Sequence, residues 1–170
     1  NNSVLRNSAT YAPGIKGQAF SFDGVDDYIE IPDSVSLGLT GGLTLEAWVK
    51  QRSAGFGTIF SKADDNGSAT ITSYGLQLNP AGAIKVALYG KYPEDNWTTG
   101  PGVVAVGQWN HIALTWYGTY GPPDNVKLYV NGSFVQSWAK SGTPLNVTTQ
   151  TLTIGSMKPP TYYGHLDGLI

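Results

Sequence analysis

Cysteine is absent from the 170 residues, which excludes disulfides, thiolate catalysis and cysteine-ligated zinc. Histidine is nearly absent. His111 and His165 are too few for a histidine metal site, and neither accompanies a serine-nucleophile motif. Positive charge is scarce as well: 10 Lys+Arg stand against 12 Asp+Glu, a formal net charge of -2, so no basic surface exists to neutralise a phosphate backbone. Nucleic acid is not an expected partner. No apolar run reaches the length of a membrane span, and the start has no charged-then-apolar pattern of a signal peptide, so membrane insertion is not expected either. Helical periodicity is missing: no window of helical length places apolar residues at three-and-four spacing.

What is present is glycine, serine, threonine, asparagine and tyrosine, with 22 Gly and 10 Tyr. Few charges and many small polar residues fit an extracellular β-rich domain better than a cytosolic helical enzyme. Sequons at Asn66, Asn96, Asn131 and Asn146 are what chance gives in a chain this rich in Ser and Thr. The length matches one domain with a core large enough to need no covalent staples.

Alternation of apolar and polar residues dominates. Leu43, Leu45, Ala47 and Val49 share one face of a predicted strand, and Thr44, Glu46, Trp48 and Lys50 the other. The segments around Leu76 and Val86 flank Asn79-Pro80-Ala81-Gly82, which predicts a hairpin. Asn110–Trp116, Val126–Val130 and Ser133–Trp138 read as strands, the last two joined by a tight Asn131-Gly132 turn. Further strands are expected at 58–61, 151–155 and 166–170, and on either side of the Asp23-Gly24 turn, with Phe20 and Phe22 facing one way before it and Ile29 and Ile31 packing inward after it. The pattern predicts an all-β, two-sheet antiparallel jelly-roll β-sandwich.

Five motifs occur in order: Gly17-Gln18-Ala19-Phe20-Ser21-Phe22-Asp23-Gly24-Val25-Asp26-Asp27-Tyr28, Leu43-Thr44-Leu45-Glu46-Ala47-Trp48-Val49, Gln108-Trp109-Asn110-His111-Ile112-Ala113-Leu114-Thr115, Lys127-Leu128-Tyr129-Val130-Asn131-Gly132 and Leu152-Thr153-Ile154-Gly155. Together they resemble LamG-like jelly-roll domains of the concanavalin A-like lectin/glucanase superfamily, with pentraxin-like relatives. The resemblance covers nearly the whole chain, so residues 1–170 are expected to form a single concanavalin A-like domain. Members of the family continue past the position of Leu166-Asp167-Gly168-Leu169-Ile170 into a further strand, which implies an excised part of a larger protein without its last strand.

The fold hosts lectins, carbohydrate-binding modules, adhesion domains and hydrolases, so function must come from the residues. Hydrolases of this kind carry two glutamates on one strand, because acid and nucleophile must flank one glycosidic bond. Here Glu30, Glu46 and Glu94 are the only glutamates and no two share a predicted strand. No enzyme activity is expected. His111 is read as a framework residue.

Sugar rings stack on aromatic faces, and Tyr92, Trp97, Tyr117, Tyr120, Tyr162 and Tyr163 fall in predicted loops, whereas Trp48, Trp109 and Trp116 read as framework residues. Those six loop aromatics are the candidate ligand contacts. Calcium, the candidate cofactor, takes hard oxygens converging from loops. Asp64, Asp65 and Asn66 are its first candidate ligands, at the place where pentraxins put an Asp-Asn pair, although Ser156-Met157-Lys158-Pro159-Pro160 departs from the pentraxin pattern. Asp23, Asp27 and Asp167 form the alternative, structural site; turn chemistry is the competing role for Asp23. The reading is a non-catalytic, calcium-assisted carbohydrate-binding module of a secreted or cell-surface protein, with a glycan or polysaccharide as partner. The alternative is an adhesion module whose partner is a protein.

Overall fold

The structure is a computed structural model, and it describes residues 2–64, 71–89, 95–118, 124–140, 144–157 and 164–170. Two seven-stranded antiparallel sheets pack face to face. The first runs in the order β1 (Val4–Arg6), β4 (Tyr28–Ile31), β13 (Leu152–Gly155), β6 (Gly57–Asp64), β7 (Ile71–Leu78), β8 (Ile84–Leu88) and β9 (Asp95–Thr98). The second runs β12 (Ser133–Trp138), β11 (Val126–Val130), β10 (Asn110–Trp116), β5 (Leu43–Gln51), β14 (Asp167–Leu169), β3 (Gln18–Asp23) and β2 (Thr10–Pro13). One 3-10 turn, Val35–Leu37, is the only helical piece among the described residues.

The alternation read from the sequence is the reason for this packing. In β10, Asn110, Ile112, Leu114 and Trp116 are buried while His111, Ala113 and Thr115 face out, and β11 repeats the pattern with Val126, Leu128 and Val130 inward. From the other sheet Ile29, Ile59, Leu76, Leu78, Ile84, Val86 and Leu88 meet them, all buried. At about 25 cal/mol per Å² of apolar area, this shared interior is the main force holding the sheets together.

Two turns show how the chain reverses. Asn79 closes the β7–β8 hairpin by accepting the amides of Ala81 and Ala83 on its side-chain oxygen, at 2.9 and 3.0 Å. Asn131 and Gly132 both adopt positive φ, 53° and 77°, the backbone that a two-residue hairpin turn requires.

Three strands escaped the sequence reading: β1, β2 and β9. The segment at 95–98 was expected to be loop, but it pairs along β8, with Trp97 opposite Val86. Trp48 was expected to be a packing residue; it instead points outward at 44% exposure, with its ring 5.1 Å from that of His111. A cleft of about 490 Å³ is lined by residues of β3 and β5 and by Ile170, and there Phe20, Ala47, Phe60 and Ile154 pack against the core half-buried.

Candidate functional site

The outer face of the first sheet carries a cavity whose position follows from strand register. Leu76 and Val86 point into the core, so Gly75, Gln77, Lys85 and Ala87, which alternate with them, must point away from it. Gly75 lies opposite Ser61 on β6 and opposite Ala87 on β8, and Gln77 lies opposite Thr58 and Lys85. Two neighbouring outward positions therefore hold almost no side chain. Taller residues rise around them, and the result is a hollow of about 210 Å³ walled by Gln77, Lys85, Tyr89 and Met157.

Glycine at 75 leaves the opening with little space to spare on the Phe60 side. A Cβ there would lie 3.2 Å from the Phe60 carbonyl oxygen and 4.0 Å from the Ala87 Cβ. The Gln77 side chain is fixed: its Nε2 donates to Met157 Sδ at 2.8 Å and to Thr58 Oγ1 at 3.3 Å. Lys85 is exposed. The lining thus combines hydrogen-bonding groups, one cation, one aromatic ring and a thioether, a mixture suited to a small polar ligand with apolar faces.

Of the sequence-derived ligand contacts, Tyr92, Tyr120, Tyr162 and Tyr163 lie outside the described residues. In sequence, Tyr92 follows Tyr89 by three positions, and Tyr162 and Tyr163 follow Met157 by five and six. Trp97 is turned inward: its ring stacks on Trp138 with centroids 5.6 Å apart and planes at 17°, and it packs against the core. Tyr117 is exposed, but it follows the end of β10 in the second sheet, where the Lys127 ammonium lies 5.9 Å from its ring centre. Trp97 and Tyr117 are therefore not brought together, and neither lines the hollow.

Gln77, Lys85, Tyr89 and Met157 were missed in the sequence. A usable signal existed for two of them, because the Asn79 turn fixes the hairpin register and so sets Gln77 beside Lys85 and Gly75 beside Ala87.

The acidic corner at the end of β3 is built differently. Asp27 is only 2% exposed, and both its oxygens accept backbone amides, Oδ1 from Ser8 at 2.8 Å and Oδ2 from Asp23 at 2.9 Å. Asp23 Oδ1 accepts the Val25 amide at 2.8 Å across Gly24, whose φ is 79°. That hydrogen bond, with weaker ones from the following amides, holds the Asp23 carboxyl below its ordinary pKa of 3.8. Carboxylate oxygens of Asp23, Asp26 and Asp27 come within 4.8 Å of one another, which suits a hard cation in donor type.

Asp167, expected beside them, pairs with Asp23 across β14 and β3, but its carboxylate is taken up elsewhere: Oδ1 accepts from Arg52 Nη1 at 3.2 Å and Oδ2 from Ser53 Oγ at 2.6 Å. Asp64 ends β6, and Asp65 and Asn66 lie outside the described residues.

The remaining described glutamates sit far apart in the topology. Glu30 is on β4 of the first sheet, paired with Arg6 at 2.7 Å, and Glu46 is on β5 of the second, 3.7 Å from His111 Nε2. These two described glutamates are not set about one bond. Among the described residues no helix is long and apolar enough to cross a membrane.

Known structures share the fold. The binding domain of Paraclostridial Mosquitocidal Protein 1 superposes with a TM-score of 0.75 at 10% identity, over 99% of this chain and 41% of that one. The CBM40 of a Ruminococcus gnavus IT-sialidase, solved bound to alpha2,3 sialyllactose, gives 0.69 at 14% identity over 98% and 87%. Domain 4 of AbnA, a GH43 extracellular arabinanase from Geobacillus stearothermophilus solved with arabinotriose, gives 0.62 at 21% identity over 98% and 80%. At such identities the likeness shows the fold alone. No curated protein sequence matches the chain. A family model does, across residues 23–170, and with the two-sheet architecture it establishes that the chain belongs to the Laminin_G_3 family of the concanavalin A-like lectin/glucanases superfamily.

Proposed function

We propose that residues 1–170 form one non-catalytic carbohydrate-binding module of a secreted or cell-surface protein, and that its ligand sits in the hollow on the outer face of the first sheet. One observation carries the reading: Gly75 and Ala87 leave a recess in the sheet face, bordered by Gln77, Lys85, Tyr89 and Met157. Two relatives of the same fold were solved with sugars, which supports a glycan as the ligand class here. Tyr92, Tyr162 and Tyr163, near the border residues in sequence, are assigned as further contacts. Calcium is assigned a supporting role at Asp23, Asp26 and Asp27.

The test is binding of a glycan and polysaccharide panel to the purified domain, then to Gly75→Val and Gln77→Ala. Binding that both substitutions abolish, with melting curves unchanged, supports the proposal. A panel that stays silent with calcium and with chelator removes it.

A protein partner is the second reading, and it rests on a different surface. Trp48, Phe134 and Tyr117 are exposed on the second sheet, and Tyr129 and Phe134 contact edge to face at 5.9 Å. Exposed aromatics of this kind are enriched in protein interfaces. Loss of a captured protein partner on Trp48→Ala, with glycan binding intact, would favour it.

A further inference from the structure

We infer that the hollow selects an acidic sugar, one whose carboxylate pairs with Lys85; this rests on the glycan reading above and narrows it to a charge class. Among the described residues Lys85 is the only charged side chain lining the hollow. Its strand neighbours are neutral: Gln77 lies opposite it on β7 and Thr98 on β9.

Of the other described cations, Lys16 and Lys50 belong to the second sheet, in the β2–β3 turn and on β5, and do not line the hollow, and the rest are occupied. Arg6, Arg52, Lys62 and Lys127 each have a carboxylate partner, and Lys140 lies 5.3 Å from the centre of the Trp116 ring. Lys85 has no ion pair among the described residues. Glu30, an acid of the same sheet, is committed to Arg6 on the far side of β13.

The hydrogen-bonding inventory points the same way. The amide nitrogen of Gln77 is spent on Met157 and Thr58. Lys85 supplies the charged donor of the wall, three N–H groups with no acceptor capacity. A ligand oxygen that accepts, and that carries charge, matches this group better than a neutral hydroxyl, because charge-assisted hydrogen bonds are roughly twice as strong as neutral ones. The recess also shields that pair from solvent on the sheet side, where attraction between charges is less damped than in open water. The ring and thioether of Tyr89 and Met157 leave room for the apolar face of the same sugar. A uronic or nonulosonic acid residue has both features, and a neutral hexose has only the second.

The experiment uses an array of acidic oligosaccharides with their neutral counterparts. Calorimetric titration of the tightest acidic binder and its methyl ester follows, against wild type, Lys85→Gln and Lys85→Arg. The expected result is that esterification weakens binding by about 10-fold or more. Lys85→Gln should remove that difference and Lys85→Arg should retain it, with unchanged melting for both. Neutral sugars that bind as tightly as acidic ones, or a preference indifferent to Lys85→Gln, would overturn the inference and leave glycan binding standing. Silence of the whole array would overturn the glycan reading itself, and this inference with it.

Discussion

Replacing Asp27 by alanine should destabilise the domain more than any other single carboxylate change in its acidic corner. The magnitude follows from the two amides that Asp27 accepts, those of Ser8 and Asp23. Removing the carboxylate strands both donors at a site where Asp27 itself is 2% exposed. An unsatisfied buried donor costs about 1–3 kcal/mol, so the pair should cost about 3 kcal/mol in total. For a domain of this length that lowers Tm by roughly 10 °C. Asp27→Asn keeps one oxygen and should lose about half as much. Asp26→Asn, whose side chain accepts no amide among the described residues, should melt within about 2 °C of wild type. Calorimetric melting in chelator isolates this effect from any bound cation. Asp27→Ala melting with wild type would refute the assignment of Asp27 as an amide acceptor. Collapse of the Asp27→Ala difference on chelation would show that its worth lies in a metal.

Other expectations follow from single features. Gly155 has a φ of 89° and a Cβ there would lie 2.6 Å from the Phe22 ring, so Gly155→Ala should cost about 3 kcal/mol in denaturant unfolding; a cost below about 1 kcal/mol would contradict that packing. Asp33 accepts from the buried Lys62 ammonium at 2.6 Å, which holds its carboxyl below 3.8. Its stabilisation is therefore present above the unfolded carboxylate pKa and lost as pH falls through the folded one, and Asp33→Asn should flatten the acid limb of a Tm-against-pH curve. Tyr74 is pushed up to about 12, by burial first and by the Asp33 charge second. It stays neutral while an unfolded tyrosine ionises near 10, so its contribution is present below pH 10 and lost as pH rises towards 12; alkaline titration of tyrosine absorbance should show a late component that Tyr74→Phe removes. Calcium at the Asp23, Asp26 and Asp27 carboxylates should raise Tm with a dependence on calcium concentration that Asp26→Asn weakens.

Long alternating segments were legible in the sequence because one of their faces is core and the other is not. Asn110–Trp116 and Val126–Val130 form strands at the residues where alternation placed them. β9 was not legible: within Asp95-Asn96-Trp97-Thr98 a single apolar residue turns inward, and one residue shows no period. The same residue reads as a ligand contact in the sequence, since a tryptophan in a polar segment has no visible partner there, whereas in the fold it stacks on Trp138 from a distant strand of the other sheet. The hollow was hidden for a related reason. Its floor is marked by what Gly75 and Ala87 lack, and one wall, Met157, arrives from 80 positions beyond Gln77. Asp23 was legible as a turn residue because its bond is local, to Val25.

The central claim is that the recess over Gly75 holds a glycan, and the most direct measurement is calorimetric titration of the best panel binder into wild type and Gly75→Val. Filling the recess should abolish the heat of binding while tryptophan fluorescence and melting report an intact fold. Unchanged affinity in a folded Gly75→Val protein would place the ligand elsewhere and contradict the account.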